Sequence, residues 1–159
     1  SITRANDPLF YDRINVRGFY LGADATRRDG LPINDQGNIA LENKEAIVIS
    51  KGLTGLRNGL TSPGGSIDYV VKRPLARPLT RVTASLDGHG GYGAYADVSR
   101  RFGTDDRFGL RVNAGGEEIR SFVEPVEGDK QLAALAFNWR VTPRFELDLE
   151  GEYQDRLIT

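Results

Sequence analysis

The sequence of 159 residues contains no cysteine and no methionine, and it has a single histidine. Without cysteine, the chain cannot form a disulfide framework, a thiolate metal site or a cysteine nucleophile. A single histidine also excludes a multi-histidine metal site. Because no initiator methionine is present, we expect the chain to be an internal segment of a longer protein.

Long apolar runs and an excess of one charge are also missing. No apolar run reaches the roughly 18 residues that a membrane-spanning helix needs. Membrane-crossing strands are not excluded, because their apolar residues alternate with polar ones, and the mean hydropathy of -0.40 is compatible with them. The 21 basic and 22 acidic residues nearly balance, so no nucleic-acid partner is expected.

The first part of the chain, residues 1–77, has the pattern of short strands separated by turns. The turn signals are Asp7-Pro8, Asp29-Gly30, Gln36-Gly37-Asn38 and Ser62-Pro63-Gly64-Gly65. A modest helix is predicted over residues 53–60, although nearby glycines weaken it. Pro74 and Pro78 then interrupt the chain, and we place a domain boundary between residues 77 and 78.

The second part, residues 78–159, alternates apolar and polar side chains with a period of two, which predicts strands with two different faces. Five consecutive segments keep this rule. Their apolar members are Val82, Ala84 and Leu86; Tyr92, Ala94, Ala96, Val98 and Phe102; Phe108, Leu110, Val112 and Ala114; Ala133, Leu135, Phe137, Trp139 and Val141; and Phe145, Leu147, Leu149 and Tyr153. The link from about residue 117 to residue 130 is expected to be longer than the turns at residues 103–107 and 142–143.

Aromatic residues mark the ends of these predicted strands. Phe102 and Phe108 flank one short turn, and Trp139 and Phe145 flank another, all on the apolar face. Aromatic rings at strand ends are typical of strands that cross a bilayer, where the rings lie at the lipid interfaces. The apolar face is therefore predicted to contact lipid, and the polar face to line an interior.

Keeping like faces opposed also predicts the register of the strands. The expected cross-strand partners are Phe102 with Phe108, Val98 with Val112, Trp139 with Leu147, and Arg140 with Glu146. A soluble β-sandwich stays open as the alternative, because periodicity alone cannot distinguish lipid from a second sheet.

Four motifs in residues 1–77 resemble, in order and spacing, the plug of TonB-dependent outer-membrane receptors. They are Ile14 to Phe19 with its Arg-Gly-Phe end, the Asp29 to Ile33 turn, Glu45 to Gly52, and Ser62 to Pro74, which runs from Ser-Pro-Gly-Gly to Lys-Arg-Pro. The Ser62-Pro63 pair before the glycines resembles the form of this motif in the siderophore-receptor subfamily. The sequence departs from the usual pattern at Leu53, where the family has proline, at Asn58, where it has an aromatic residue, and at Asp68, where asparagine is more common.

The resemblance implies a mostly all-β fold class, the C-terminal part of a plug domain (1–77) followed by the first about five antiparallel strands of a large transmembrane β-barrel (78–159). It implies a receptor in the bacterial outer membrane that binds a ferric siderophore and imports it with energy from TonB, which contacts a segment preceding this chain. Iron stays inside its chelator, so neither a cofactor nor a protein metal ligand is expected. Import of haem or a vitamin by the same architecture stays open.

The same resemblance gives the candidate ligand-binding residues. They are Arg17, Asn34, Asp35, Gln36 and Asn58, all expected at the outer apex of the plug. Arg17 is expected on a strand, where it could equally pair with a barrel carboxylate. Lys72 and Arg73 are expected to pair with the barrel wall, and the acidic row of Glu146, Asp148, Glu150 and Glu152 is expected to face the plug.

A dinucleotide site and an enzyme active site are not expected. Residues 88–93 fit a Gly-x-Gly-x-x-Gly pattern, but that fingerprint needs a helix to follow, and period-two alternation follows instead. His89 is expected to be a solvated loop residue, and no Gly-x-Ser-x-Gly elbow is present for a serine nucleophile.

Overall fold

The structure is a computed structural model that describes residues 2–6, 12–33, 39–52, 62–88, 90–120 and 127–158. The chain divides into two compact units, unit 1 (residues 1–71) and unit 2 (residues 72–159). Across the described residues, no helix has the length and apolar character needed to cross a membrane. The division into units lies between Val71 and Lys72, and the domain boundary after residue 77 stays a prediction.

Unit 1 consists of short strands in two sheets. Its strands are β1 (Ile2–Asn6), β2 (Asp12–Val16), β3 (Phe19–Leu21), β4 (Thr26–Arg28), β5 (Leu31–Pro32), β6 (Lys44–Lys51) and β7 (Gly65–Val71), and a 3-10 turn (Ala23–Ala25) precedes β4. One sheet has the antiparallel order β1-β2-β3, and the other has the order β5-β4-β7-β6. Strands β4 and β7 run parallel. The predicted helix over residues 53–60 lies outside the described residues.

A small apolar cluster holds unit 1 together. Val16 and Leu21 of the first sheet pack with Ala25, Ile67 and Tyr69, and all five side chains are buried. These residues come from the β2–β3 hairpin, the 3-10 turn and β7. Since burying an apolar side chain removes it from water, this contact fixes the β2–β3 hairpin against the start of β7.

Unit 2 is a single antiparallel sheet. Its strands are β8 (Leu79–Leu86), β9 (Tyr92–Phe102), β10 (Phe108–Arg120), β11 (Glu127–Thr142) and β12 (Phe145–Ile158), in the order β12-β11-β10-β9-β8. Each strand therefore pairs with the next strand along the chain. The five strands predicted from alternation are confirmed, and so is the mostly all-β fold class.

The predicted register is confirmed at every expected pair. The observed partners are Phe102 with Phe108, Val98 with Val112, Trp139 with Leu147, and Arg140 with Glu146. The alternation of faces thus decided how neighbouring strands align.

Strands β10 and β11 extend further than the sequence predicted. They pair as far as Arg120 with Glu127, so the connection between them is limited to residues 121–126. Glu117 and Lys130 are cross-strand partners, and their charged atoms Oε1 and Nζ lie 3.8 Å apart. A longer connection was expected from about residue 117 to residue 130, but opposite charges facing each other stabilise a ladder of strands just as apolar pairs do.

Candidate functional site

The tip of the β2–β3 hairpin carries Arg17, the first of the predicted ligand-binding residues. Arg17 and Gly18 have φ angles of 55° and 84°, the left-handed conformation that a two-residue hairpin turn requires. The prediction that Arg17 lies on a strand was wrong, because β2 ends at Val16 and the glycine allows the chain to reverse there. Arg17 is exposed, so its guanidinium is available to an anionic ligand.

The Ser-Pro-Gly-Gly turn packs directly beside this hairpin. Ser62 Oγ donates a hydrogen bond to the Tyr20 carbonyl oxygen at 3.1 Å. A Cβ atom on Gly64 would lie 2.9 Å from the Val16 carbonyl oxygen, and one on Gly65 would collide with the Ser50 carbonyl oxygen. Gly65 also has a φ of 122°. The two glycines are therefore required for β7 to begin this close to its neighbours.

The ends of the segment 53–61 lie at the same place. The Gly52 amide donates to the Gly64 carbonyl oxygen at 3.1 Å, which joins the residue before the segment to the turn after it. Gly52 also lies next to Arg17, since a Cβ atom there would be 3.9 Å from Arg17 Nη1. This segment contains Asn58, which itself lies outside the described residues.

The residue that precedes the segment 34–38 lies at this same end of the sheet. The Ile33 amide donates to the carbonyl oxygen of Thr26 at the start of β4. Thr26 pairs in parallel with Ile67, near the start of β7. Arg17, both ends of the segment 53–61 and the residue before the segment 34–38 are therefore at one end of unit 1. Asn34, Asp35 and Gln36 lie outside the described residues.

A buried ionic cluster lies on the polar face of the sheet in unit 2. We call it the anchor cluster, and its members are Lys72, Asp97, Arg111 and Asn113. Arg111 Nε and Nη2 donate to the two carboxylate oxygens of Asp97 at 2.9 and 2.8 Å. Lys72 Nζ donates to Asp97 at 2.9 Å and to Asn113 at 3.3 Å. A bidentate pair with an added cation is a geometry that can hold a carboxylate away from water.

The anchor cluster fixes the segment that enters unit 2 to strands β9 and β10. Arg111 Nη1 donates to the Arg73 carbonyl oxygen at 2.9 Å, and the Leu75 amide donates to Ser99 Oγ at 2.9 Å. Pro74 lies on Gly109, where a Cβ atom would be 2.7 Å from the proline ring. Residues 72–75 are thus fixed to the sheet by ion pairs, by hydrogen bonds to their backbone and by the close packing of Pro74 on Gly109.

Lys72 and Arg73 were expected to form ion pairs with the barrel wall, and each pairs with a carboxylate on a strand of unit 2. Lys72 pairs with Asp97, and Arg73 Nη2 lies 3.6 Å from Glu150 Oε2 in the acidic row. The Arg73 side chain is 40% exposed. Solvent therefore screens the second pair, and we assign it less stabilisation than the buried first pair.

In strands β9 to β11 the two faces of the sheet have the reverse of the exposure expected in water. On the polar face Ser99, Arg111 and Asn138 are 0, 3 and 4% exposed. On the apolar face Leu135 and Trp139 are 47 and 38% exposed. Both faces of the outer strands β8 and β12 are largely exposed. A water-soluble antiparallel sheet buries its apolar face and exposes its polar one. Among the described residues, no second layer covers the apolar face, which argues against the β-sandwich alternative.

Aromatic rings gather at one end of this apolar face. Phe102 and Phe108 have ring centroids 5.6 Å apart, and Trp139 stands 5.9 Å from Phe108 on the other side. Phe102, Trp139 and Phe145 are 48, 38 and 58% exposed. We call these four residues the aromatic belt. Such rings are favoured at a lipid interface because one part of each contacts hydrocarbon while its edge meets water.

Comparison with known proteins shows which proteins have similar sequences. The chain is 29% identical over 148 residues to the ferrichrome receptor FcuA of Yersinia enterocolitica, a match covering 90% of the chain and 19% of that protein. It is 29% identical over 108 residues to the metal-pseudopaline receptor CntO of Pseudomonas aeruginosa, covering 68% of the chain and 15% of that protein. No family model matches the chain.

The fold comparison covers almost the whole chain. The pyoverdine outer-membrane receptor FpvA of Pseudomonas aeruginosa superposes with a TM-score of 0.86 at 22% identity, over 98% of this chain and 23% of that one. The ferric-catecholate import receptor Fiu of E. coli superposes with a TM-score of 0.83 at 21% identity, over 92% of this chain and 20% of that one. The fold is that of TonB-dependent siderophore receptors. The chain spans about a fifth of the length of the receptors that it matches.

Sequence reasoning missed the central residue of this receptor fold's anchor cluster. Asp97 and Arg111 fall on the polar face of their strands, but Asp97 was not identified as the partner of Arg111 and Lys72. The available signal was their shared face and the predicted register, which places Asp97 diagonally across from Arg111. Cross-strand neighbours of opposite charge on a face that avoids lipid are expected to pair.

Proposed function

We propose that this chain is part of an outer-membrane receptor that binds a ferric siderophore outside the cell and imports it to the periplasm with TonB-coupled energy. The observation that carries the proposal is the reversed exposure of strands β9 to β11, whose apolar face is exposed and whose polar face is buried. Closed barrels of such strands are the way in which β-structure crosses a bilayer. The similarity to receptors for ferrichrome and metal-pseudopaline supports a metal chelate as the cargo.

Each part of the chain has its own role in this proposal. Residues 1–77 form part of the plug, and residues 78–159 form the first strands of the barrel wall. TonB acts through a segment that precedes this chain and rearranges the plug. The anchor cluster keeps residues 72–75 on the wall while the rest of the plug moves, because separating Lys72 from Asp97 would remove one of the two cations that hold this buried carboxylate.

The siderophore binds at the end of the plug that carries Arg17 and the segments 34–38 and 53–61. The proposed ligand-binding residues are Arg17, Asn34, Asp35, Gln36 and Asn58. Arg17 supplies a positive charge and several donors to an anionic chelate, and the asparagine and glutamine amides supply both donors and acceptors. Iron enters inside its chelator, so these residues bind the organic shell rather than the metal.

No catalytic step is proposed, since the relatives are receptors and transport needs only binding and plug movement. Haem and vitamins remain the alternative cargoes within the same architecture.

A strain that lacks the full-length receptor gene tests the cargo. We expect loss of iron uptake from one class of ferric siderophore, restored by the gene only when TonB is present. Unchanged uptake of every ferric chelate, with loss of haem or cobalamin uptake instead, would contradict the siderophore assignment.

Arg17→Ala tests the ligand-binding end of the plug. A charge-assisted hydrogen bond contributes about 1.5–3 kcal/mol, so we expect the dissociation constant of the full-length receptor for its chelate to rise about tenfold to a hundredfold. Arg17→Lys keeps the charge and should lose less. Both variants should melt with the wild type, because the Arg17 side chain is exposed. Equal affinity in all three proteins would exclude Arg17 from the site.

A further inference from the structure

Arg100 is a charged residue on the apolar face of the sheet in unit 2. It is the cross-strand partner of Leu110, and it precedes Phe102 of the aromatic belt by two residues of β9. Directly opposite residues share a face of a sheet, and so do alternate residues of one strand, so Arg100 lies on the same face as Leu110 and Phe102. Arg100 is also exposed. A cation therefore stands on the face that we assign to lipid.

Three hydrogen bonds hold the guanidinium group of Arg100 in place. Nη1 donates to the carbonyl oxygens of Leu79 and Ser99, each at 3.0 Å, and Nη2 donates to Thr80 Oγ1 at 3.0 Å. Leu79 and Thr80 are the first two residues of β8, and this strand begins at the end of the sheet where the aromatic belt lies. The group is thus positioned before a ligand binds, which lowers the cost of ordering it.

These hydrogen bonds leave two donors of the guanidinium group open. Of its five N–H donors, both on Nη1 and one on Nη2 are used, which leaves Nε and the second hydrogen of Nη2. Arg111 in the same sheet uses Nε and Nη2 to hold both carboxylate oxygens of Asp97. The open pair on Arg100 therefore has the geometry that binds two oxygens of one anion.

The charge of Arg100 is not compensated by an acidic side chain of the described residues. The stretch that follows it, residues 101–107, contains two arginines and two aspartates, so it contributes no net charge. If the chain is the membrane receptor proposed above, on which this step rests, Arg100 lies about 7 Å along the strand from Phe102, on the hydrocarbon side of the aromatic belt. A cation at this depth is stabilised by reaching a group at headgroup level.

We propose that Arg100 binds the phosphate of an anionic phospholipid, such as phosphatidylglycerol, in the leaflet on the side of the short turns. The open fork of Nε and Nη2 suits two phosphate oxygens, and the aromatic belt beside it lies at the level of the headgroups. An anionic lipid neutralises the charge of Arg100, whereas a zwitterionic lipid brings an ammonium group that leaves the site with a net positive charge. Thr80 is a positioning residue, because its hydroxyl group holds Nη2.

Native mass spectrometry of the full-length receptor with added phosphatidylglycerol tests the site. We expect the wild type to bind phosphatidylglycerol more tightly than phosphatidylethanolamine, and Arg100→Gln to lose about tenfold or more of that affinity. Arg120→Gln is the matched control, since Arg120 lies at the other end of the sheet, where its Nη2 is 2.6 Å from Glu118 Oε1. The control should leave the affinity unchanged.

Inorganic phosphate distinguishes a lipid site from a free-anion site. At a concentration equal to that of the lipid, phosphate should not displace phosphatidylglycerol. Displacement by phosphate, a preference for phosphatidylethanolamine, or equal lipid affinity in Arg100→Gln would each overturn the proposal. The last result is also the one expected if a carboxylate of the strand that pairs with β8 in the closed barrel occupies the fork.

Arg100→Lys replaces the glutamine variant if that variant does not fold. Lysine keeps the positive charge but cannot present two donors in a fixed plane, so we expect it to bind phosphatidylglycerol several-fold more weakly than the wild type. Affinity equal to that of the wild type would overturn the proposed fork.

Siderophore binding is measured on the same samples. Retained siderophore binding with no lipid preference would remove the lipid site alone. A wild type that neither inserts into bilayers nor binds any chelate would contradict the proposed receptor function and this site with it.

Discussion

Asp97 illustrates what a charged side chain needs in order to be buried in this sheet. It is 6% exposed, and it accepts hydrogen bonds from both Arg111 and Lys72. The attraction within the group offsets the cost of removing three charges from water only while every partner is present. The group is therefore sensitive to the loss of any one member.

Asp97→Asn should destabilise the full-length receptor by about 3–5 kcal/mol, because it leaves two cations on the polar face without their carboxylate. Urea unfolding of the receptor in lipid vesicles measures the change. Arg120→Gln breaks the more exposed pair with Glu118 and should cost about 0.2–1 kcal/mol. Equal effects of the two variants would mean that the anchor cluster contributes no more than a surface pair.

Gly65 is a second residue whose role depends on close contact. Gly65→Ala should cost about 1–3 kcal/mol, because φ is 122° and the new methyl group would meet the Ser50 carbonyl. Gly151→Ala is the matched control, since nothing lies within 4 Å of a Cβ atom there. The control should change stability by no more than about 0.5 kcal/mol. If Gly65→Ala left the stability unchanged, the turn would have space for a methyl group, which contradicts the contact with the Ser50 carbonyl oxygen.

For individual residues, the sequence predicted the type of interaction, such as an ion pair, better than it predicted which residue would be the partner. Lys72 and Arg73 were expected to pair with the wall, and they do. Their partners could not be read from alternation alone, because it gives the face of each residue but not the path of residues 72–75 across that face. The turn at Arg17 was missed for a similar reason: the apolar pattern of β2 and β3 continues through it, and only Gly18 marks the reversal.

The strands of unit 2 are the elements that the sequence described best. Each follows period-two alternation, and each pairs with its neighbour in the register that keeps like faces opposed. The ends of β10 and β11 were underestimated, because charged cross-strand pairs such as Glu117 with Lys130 do not show as apolar alternation. Hydrophobic pattern thus predicts the lipid-facing part of a strand and not its extension into water.

Leu149→Arg tests the outward face of β12. If lipid covers Leu149 near the middle of the bilayer, the substitution should cost about 2–4 kcal/mol in the full-length receptor. Val82→Arg on β8 should behave in the same way. Thr83→Arg, one residue further and on the opposite face, should change stability by only about 0.5 kcal/mol. Three similar costs would mean that the two faces of the sheet do not meet different solvents.

For the whole molecule, the account depends on the environment of the two faces of unit 2. Strands β8 and β12 are the outer strands of this sheet, and an open strand edge is not tolerated in hydrocarbon. A closed barrel therefore needs further strands beside them, which agrees with the chain spanning about a fifth of its relatives. The chain expressed alone is not expected to insert into a bilayer or to transport a chelate.

The most direct test uses the absence of cysteine from this sequence. In the full-length receptor without other cysteines, single cysteines at positions 132 to 139 of β11 are spin-labelled, and the accessibility of each label to oxygen and to a water-soluble nickel chelate is measured in vesicles. The account predicts high oxygen accessibility at 133, 135, 137 and 139, with low values for both reagents at 132, 134, 136 and 138. Accessibility without this period of two, or nickel contact along the apolar face, would contradict it.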